Sequence, residues 1–457
     1  MAHPLSTSTT HTLPSVEALG VFPQAESSVQ SHIAFASGLA PLNKILIASS
    51  NTGGGHRSAA LSLKESFVHH AKQQWHMSVS MTQVLEEASW LTHQMAHVYN
   101  WLLRHKQSWM KYYYALIHSL KPHENPWILD MAFPYGKRIV ERTLPKMIVS
   151  VHPMTQHFFA YVLKRMGLLH RIPIVTVVTD PIAQFWRGWA CPEVSLYCVA
   201  TQSAKQELIA YGVHPEKIQV AGMPIHSKFQ PVSRHHRLAL EQKYQLRSEG
   251  FNVCFNAGWV GGGNIPALFQ ATLQANHRFT DSPLQLLFLA GNNPKLLQMG
   301  YELAQAYPEI PLSVLDASQA DMLDVMQLSD VLVSKLGGLT TFEALACHTP
   351  FIADALTPPM PQELATYEWL HHQGLGVVTY DLETCVDTLT GWLYNPEQYL
   401  KVKTRCEAQA FHQHNASAIV AHILTSMAPS ISVSSDDALT RLITSEETAP
   451  SSLVGMH

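Results

Sequence analysis

Short runs of β-branched and apolar residues recur along this chain, each followed by a stretch with helical spacing: KILIAS then RSAALSLKESFVHHA, KMIVSVH then TQHFFAYVLKRMG, then IPIVTVVTD. Strands that alternate with helices are joined by crossovers, and crossovers make parallel sheet. VSLYCVA, SAKQELIAYGV and IQVAGMP continue the rhythm until the charged stretch SRHHRLALEQKYQLRSEG breaks it. A second series follows, with NVCFNAG, PLQLLFLAGNN, LSVLD, DVLVSK and PFIAD as strands and helical segments between them. At 457 residues the chain is longer than one core usually serves, at about 100–200 residues per domain. The pattern therefore predicts an α/β protein of two doubly wound, Rossmann-like parallel-sheet domains, at 41–232 and 233–428, facing each other across a cleft. In such sheets ligands sit beyond the carboxyl ends of the strands. The helical stretch from Pro396 to Met427 closes the ordered part and is placed to pack back across both halves, while 1–40 and 429–457, rich in Ser, Thr and Pro, predict disordered tails.

Composition narrows the function classes. A formal net charge of -4 gives no overall attraction to nucleic acid, and no nucleic-acid-binding module is recognisable. The six cysteines are scattered without CxxC or zinc spacing, and the paired histidines (His69-His70, His235-His236, His371-His372) read as solvated surface, so no metal site is expected. The N-terminal stretch lacks a basic start and an apolar core, and no run of about 18 apolar residues occurs, which predicts a cytoplasmic or peripheral protein.

Three glycine loops carry the chemistry. Thr52-Gly53-Gly54-Gly55-His56-Arg57-Ser58 follows the strand KILIAS and opens a helix. Its glycines let backbone approach a ligand and its helix start can meet an anion, but no Lys-Ser/Thr pair follows, so ATP hydrolysis is disfavoured. His56 either makes hydrogen bonds at the helix start or takes a proton from an acceptor hydroxyl. Ser334 to Glu343, SKLGGLTTFE, repeats the strand, turn and helix-start order. Its free amides and the Thr340 and Thr341 hydroxyls suit a diphosphate, with Glu343 in the first turn either accepting ribose hydroxyls or completing a capping box with Thr340. Gly258 and Gly261 to Gly263 form a third loop after a strand.

TGGGHRSAA, IVSVHP, VVTDP, GMPI, the loop at Gly258 to Gly263, LAGNN, SKLGGLTTFEAL and PPMPQE stand in the same order as in monogalactosyldiacylglycerol synthases and processive diacylglycerol glucosyltransferases. The chain resembles that family from about Lys44 to Met427, and resembles more distantly the peptidoglycan-precursor N-acetylglucosaminyltransferase. The resemblance implies a GT-B fold, a UDP-sugar donor as substrate with no cofactor, a membrane-lipid acceptor such as diacylglycerol, and inversion. It implies His56 and Asp180 as base or acceptor-site residues, and Gly54, Gly55, Gly258 and Gly261 beside the donor. Gly337, Gly338 and Thr340 fall on the diphosphate loop, Glu343 on the ribose acid, and Gln362 with Glu363 on the pair that reads the sugar. Three positions depart from the family pattern: Gln184 stands where a histidine often follows VTD, the GQExxN segment reads PQELAT and ends in Thr366, and the lysine turn reads Lys335-Leu336-Gly337-Gly338.

Between Trp90 and Lys146 the chain concentrates cations and aromatics, among them Trp101, Arg104, Lys106, Trp109, Lys111, Tyr112, Lys121, Trp127, Arg142 and Lys146, against only Glu124, Asp130 and Glu141. Trp and Tyr favour the headgroup layer, so this segment predicts peripheral docking on an anionic surface at the cytoplasmic face of a membrane; the competing reading is a helical hairpin with core aromatics. The function that unites these features is hexosyl transfer from a UDP-sugar to a membrane lipid. A nucleotide-sugar epimerase and a catalytically degenerate UDP-sugar-binding protein are the rivals.

Overall fold

The computed structural model describes residues 43–52, 54–70, 77–105, 109–258, 263–280, 282–356, 359 and 361–432. Residues 1–40 and 433–457, expected as tails, lie outside the described residues, whereas 429–432 end the helix Ala416–Ser432.

Twelve strands form two all-parallel sheets of six. The first lobe contains β1 (Asn43–Ser49), β2 (Met77–Gln83), β3 (Met147–Ser150), β4 (Ile174–Val177), β5 (Leu196–Val199) and β6 (Ile218–Val220), in the order β2-β1-β3-β4-β5-β6. The second contains β7 (Phe251–Asn256), β8 (Leu284–Leu289), β9 (Leu312–Leu315), β10 (Val331–Ser334), β11 (Phe351–Asp354) and β12 (Gly376–Thr379), in the order β12-β11-β10-β7-β8-β9. Both are doubly wound orders, which reverse direction between β1 and β3 and between β7 and β10. At such a reversal the loops after the two strands diverge to opposite faces and leave a crevice. The first crevice receives the loop after β1, with Gly54, and the residues after β3, with His152. The second receives Gly258 and Gly337.

The ten strands read from sequence are present, and the two that sequence reading missed, β2 and β12, are both edge strands. Central parallel strands are covered on both faces and read as continuous apolar runs. β3, β4 and β10 are buried at every residue, whereas MSVSMTQ and GVVT are mostly half-exposed and lack that signature.

The lobes share one apolar core. Ala59, Leu63 and Phe67 of the helix Gly55–His70 belong to the same buried cluster as Leu332 and Phe342 of the second lobe and Ile419 and Ile423 of the closing helix. The closing segment divides its contacts: Tyr399, in the helix Pro396–Ala408, donates its hydroxyl hydrogen to the Asp330 carbonyl of the second lobe. The backbone then returns to the first lobe, where Met223 N–H donates to His414 O at 3.2 Å and Ala416 N–H to Ile225 O at 2.9 Å.

Candidate active site

His56 lies in the first turn of the helix Gly55–His70, directly after Gly54. Its Nδ1 is 2.8 Å from the Val151 carbonyl after β3 and 3.0 Å from the Thr179 hydroxyl oxygen after β4. A carbonyl can only accept, so Nδ1 carries the proton and Nε2 keeps its lone pair. His152 stands edge-on to this ring with centroids 4.6 Å apart. It has the opposite tautomer: Nδ1 accepts the Met154 N–H at 3.2 Å, leaving Nε2–H to donate to the Thr52 hydroxyl at 3.0 Å. Burial lowers the His56 pKa to about 4, and burial together with the His56 charge puts that of His152 well below the usual value. Both rings are therefore neutral near pH 7.

Asp180 follows Thr179, and its carboxylate accepts the Trp189 indole N–H at 2.6 Å. Burial raises its pKa to about 6, opposed by that hydrogen bond. Pro181 disfavours helical backbone at Asp180, and the Trp189 hydrogen bond directs the carboxylate. His56 and Asp180 share the wall of a cavity of about 410 Å³, with Thr52 and His152 at the same end and Leu85, Met95, Ala96, Tyr99, Ala115 and Ile117 as apolar wall. No lysine or arginine lines it among the described residues. Gln184 also lines it, and holds a left-handed backbone with φ 56°. A side-chain residue at positive φ costs about 1–3 kcal/mol and is characteristic of sites where surroundings impose the conformation.

The second lobe contributes a different surface. The helix Gly338–Ala346 begins after Gly337, and Thr341 N–H is the first to bond back, to Gly337 O. The preceding amides of Gly338, Leu339 and Thr340 face the helix N-terminus, where the peptide dipoles favour an anion. A Cβ added at Gly337 would meet nothing within 4 Å, as would one at Gly54. Gly338 is different: its Cβ would lie 2.6 Å from the Thr179 carbonyl oxygen of the first lobe. Gly55 faces Leu339, whose Cδ1 would stand 3.9 Å from an added Cβ. Two helix N-termini, one from each lobe, thus converge in the cleft.

Gly258 completes the second crevice at φ 78°, its N–H donating to the Asn256 side chain at 2.8 Å. Gly263, at φ 71°, leaves room for Lys335, since an added Cβ would sit 2.6 Å from Lys335 Cε. Glu343 is buried without a side-chain hydrogen bond among the described residues, and burial raises its pKa to about 7.

Several sequence expectations change here. The N-cap of this second-lobe helix is Gly337 rather than Thr340, so Thr340 and Glu343 form no capping box, and Glu343 stands in the second turn. The Thr341 hydroxyl hydrogen goes to the Gly337 carbonyl at 2.9 Å and its side chain is buried, which leaves Thr340 as the hydroxyl of that pair open to a ligand. Thr366, a departure from the family pattern, is buried. Glu363 is half-buried near the start of the helix Pro361–Gln373, while the Gln362 side chain and Gly261 lie outside the described residues. Sequence reading gave no role to His152 or Thr179, although both sit in motifs at strand ends; their pairing with His56 depends on which strands neighbour β1.

The aromatic segment forms the helices Trp90–His105, Met110–Leu120 and Pro126–Thr143. Trp101, Trp109, Tyr112 and Trp127 are 53%, 59%, 63% and 65% exposed, so they are not the core of a hairpin. Tyr99 and Tyr113 instead face the cavity. Lys146 is buried and leaves the set of surface cations, while Lys106 and the side chains of Arg104 and Lys111 lie outside the described residues. No described helix is long and apolar enough to cross a membrane.

Two facing doubly wound sheets with a site in the cleft define the GT-B architecture. MurG of Acinetobacter baumannii superposes with a TM-score of 0.53 at 13% identity, over 84% of this chain and 100% of that one. A UDP-GlcNAc 2-epimerase of Neisseria meningitidis, bound to UDP-GlcNAc, gives 0.54 at 12% identity, over 84% and 100%. The family model for monogalactosyldiacylglycerol (MGDG) synthase matches residues 56–225. Monogalactosyldiacylglycerol synthase 3, chloroplastic, of Arabidopsis thaliana is 26% identical over 368 residues, 79% of this chain and 76% of that protein. The chloroplastic enzyme of Spinacia oleracea is 28% identical over 362 residues, 76% of this chain and 66% of that protein. The chain is therefore similar to the monogalactosyldiacylglycerol synthases, in keeping with its motifs, and has the GT-B fold.

Proposed function

We propose that this protein transfers a hexose from a UDP-sugar to the hydroxyl of an uncharged membrane lipid such as diacylglycerol, with inversion at the anomeric carbon. The observation that carries the reading is the meeting of two helix N-termini beside a cavity that is apolar along most of its wall and acid-base at one end. The Gly337 to Thr340 loop takes the diphosphate on its amides, with the backbone at Gly54 and Gly55 facing it from the other lobe, and Glu343 accepts the ribose hydroxyls. The lipid hydroxyl enters at the His56 and Asp180 end and its chains lie along Leu85, Met95 and Ile117. As the hydroxyl oxygen bonds to the anomeric carbon, its proton passes to Asp180 or to Nε2 of His56, and the sugar-phosphate bond breaks with its electron pair leaving on UDP. Helix dipoles stabilise that departing charge, so the reading requires no metal or cofactor.

An acceptor bearing a diphosphate would require cations where this cavity has neutral histidines and a carboxyl group. That contrast favours a neutral lipid. The exposed tryptophans and Tyr112 form the docking face, which seats the protein peripherally on the cytoplasmic leaflet with the cavity mouth towards the lipid. The epimerase reading shares the fold but has no use for a largely apolar cavity or an exposed aromatic face.

The test is incubation of purified protein with labelled UDP-galactose, UDP-glucose and UDP-N-acetylglucosamine in vesicles containing diacylglycerol, followed by separation of the lipids. A labelled glycolipid is expected. Turnover of the free UDP-sugar without acceptor would instead identify an epimerase, and UDP binding without any product a degenerate protein.

A further inference from the structure

Thr179 touches both halves of the site. Its hydroxyl oxygen stands 3.0 Å from His56 Nδ1. Its carbonyl oxygen is the atom that leaves no room for a Cβ on Gly338, the first residue of the donor-lobe helix. The segment that carries it is held on both sides. Val178 N–H donates to Cys198 O at 2.9 Å, the Thr201 hydroxyl donates to Pro181 O at 2.7 Å, and Trp189 anchors Asp180. Thr179 itself is buried. Neighbours held this firmly limit where the buried Thr179 hydroxyl can stand, so little freedom is lost when it accepts the hydrogen bond from the ring.

We infer that Thr179 is a positioning residue that couples the seating of the donor lobe to the proton-accepting form of His56. Its carbonyl seats Gly338 and its hydroxyl, with the Val151 carbonyl, holds the proton on Nδ1 so that Nε2 faces the reaction with its lone pair. The first-lobe bonds hold the neighbours Val178, Asp180 and Pro181, and Gly338 packs against Thr179 between them, so a donor helix that stood farther out would leave Thr179 room to shift against His56. When His56 takes a proton, the same hydroxyl oxygen accepts from the more acidic Nδ1–H, and hydrogen bonds to a charged group are the stronger kind. Among the described residues, the other titratable groups against His56 are His152, edge-on to the ring, and Asp180 in the shared cavity wall; neither stands among the atoms nearest a Cβ added at Gly338, as the Thr179 carbonyl oxygen does. The inference rests on the transferase reading for its kinetic consequence but not for its structural one.

Two measurements test it on the full chain. Nitrogen NMR of the imidazoles in wild type should show His56 with its proton on Nδ1. Gly338→Ala, which forces the donor helix away from Thr179, should shift the His56 Nδ1–H resonance, and Thr179→Val should do the same while Thr179→Ser preserves the wild-type signal; the Val151 carbonyl keeps the proton on Nδ1 in all of them. This arm needs no turnover, so it stands even if no glycolipid forms. In the kinetic arm Thr179→Val should lower kcat about tenfold or more with the KM for UDP-sugar unchanged and the acid limb of the pH profile displaced, and Thr179→Ser should restore all three. An unchanged His56 Nδ1–H resonance in Gly338→Ala overturns the coupling. A wild-type kcat and acid limb in Thr179→Val overturn the positioning role. Failure of Thr179→Val to fold leaves Gly338→Ala and Thr179→Ser to decide by the same signals.

Discussion

Behind β1 the glycine loop opens onto two neutral histidines, an aspartate and an apolar wall, whereas behind β10 it opens onto free amides, the Thr340 hydroxyl and Lys335. Both loops occupy the same place in a doubly wound sheet, at the reversal of strand order. The difference lies in what surrounds them. No lysine or arginine among the described residues lines the cavity of the first crevice, which suits groups that are to accept a proton. The second presents dipoles and a cation, which suit a charge that is already present. In the proposed transfer, bond-making and leaving-group stabilisation would then belong to different lobes.

That division predicts separable defects. The largest should come from the first lobe: Asp180→Asn or His56→Ala lowers kcat by about 10²–10⁴-fold, while calorimetry finds UDP affinity within about twofold of wild type. The pH dependence then decides between the two bases. If Asp180 must be ionised, the rate falls as pH drops through about 6; if His56 alone takes the proton, the rate holds until about pH 4. In the second lobe Glu343→Gln should weaken UDP binding about tenfold to a hundredfold, with less effect on turnover at saturating donor. Equal losses of affinity in the Asp180 and Glu343 variants would break the comparison.

A smaller effect belongs to the outer face of the first lobe. Replacing Trp101 and Trp109 by alanine should reduce co-sedimentation with anionic vesicles several-fold and leave UDP affinity intact. Unchanged pelleting would assign these side chains to another role.

The smallest effect is on stability, and its sign differs between groups. The unfolded chain releases the Glu343 proton near 4.5 and the folded chain holds it to about 7, so stability from that proton is complete below 4.5 and lost as pH rises towards 7. His56 acts oppositely: its contribution is present above 6.5 and lost as pH falls towards 4. Glu343→Gln should therefore gain about 1–3 kcal/mol over wild type between pH 5 and pH 8 in denaturant titrations.

Much of the fold was legible because central parallel strands are written as apolar runs, and both glycine loops were found by their position after such runs. β2 and β12 were not: MSVSMTQ carries polar residues at alternate positions instead of an apolar run, and GVVT is short and half-exposed, whereas the edges β6 and β9 were still read. For the site, residue types could be read but not their alliances. TGGGH, IVSVHP and VVTDP each named a residue, yet only the neighbouring of β1, β3 and β4 brings Val151 and Thr179 to His56 across 95 and 123 positions. Likewise the sequence determined that Gly337 and Gly338 stand at a helix start, but the docking of one lobe on the other decided that the first faces open space and the second a carbonyl oxygen. Periodicity records which face of an element is apolar; it carries no information on which atom of a distant loop will lie against that face. That depends on strand register and lobe closure, and these exist only once the chain has folded.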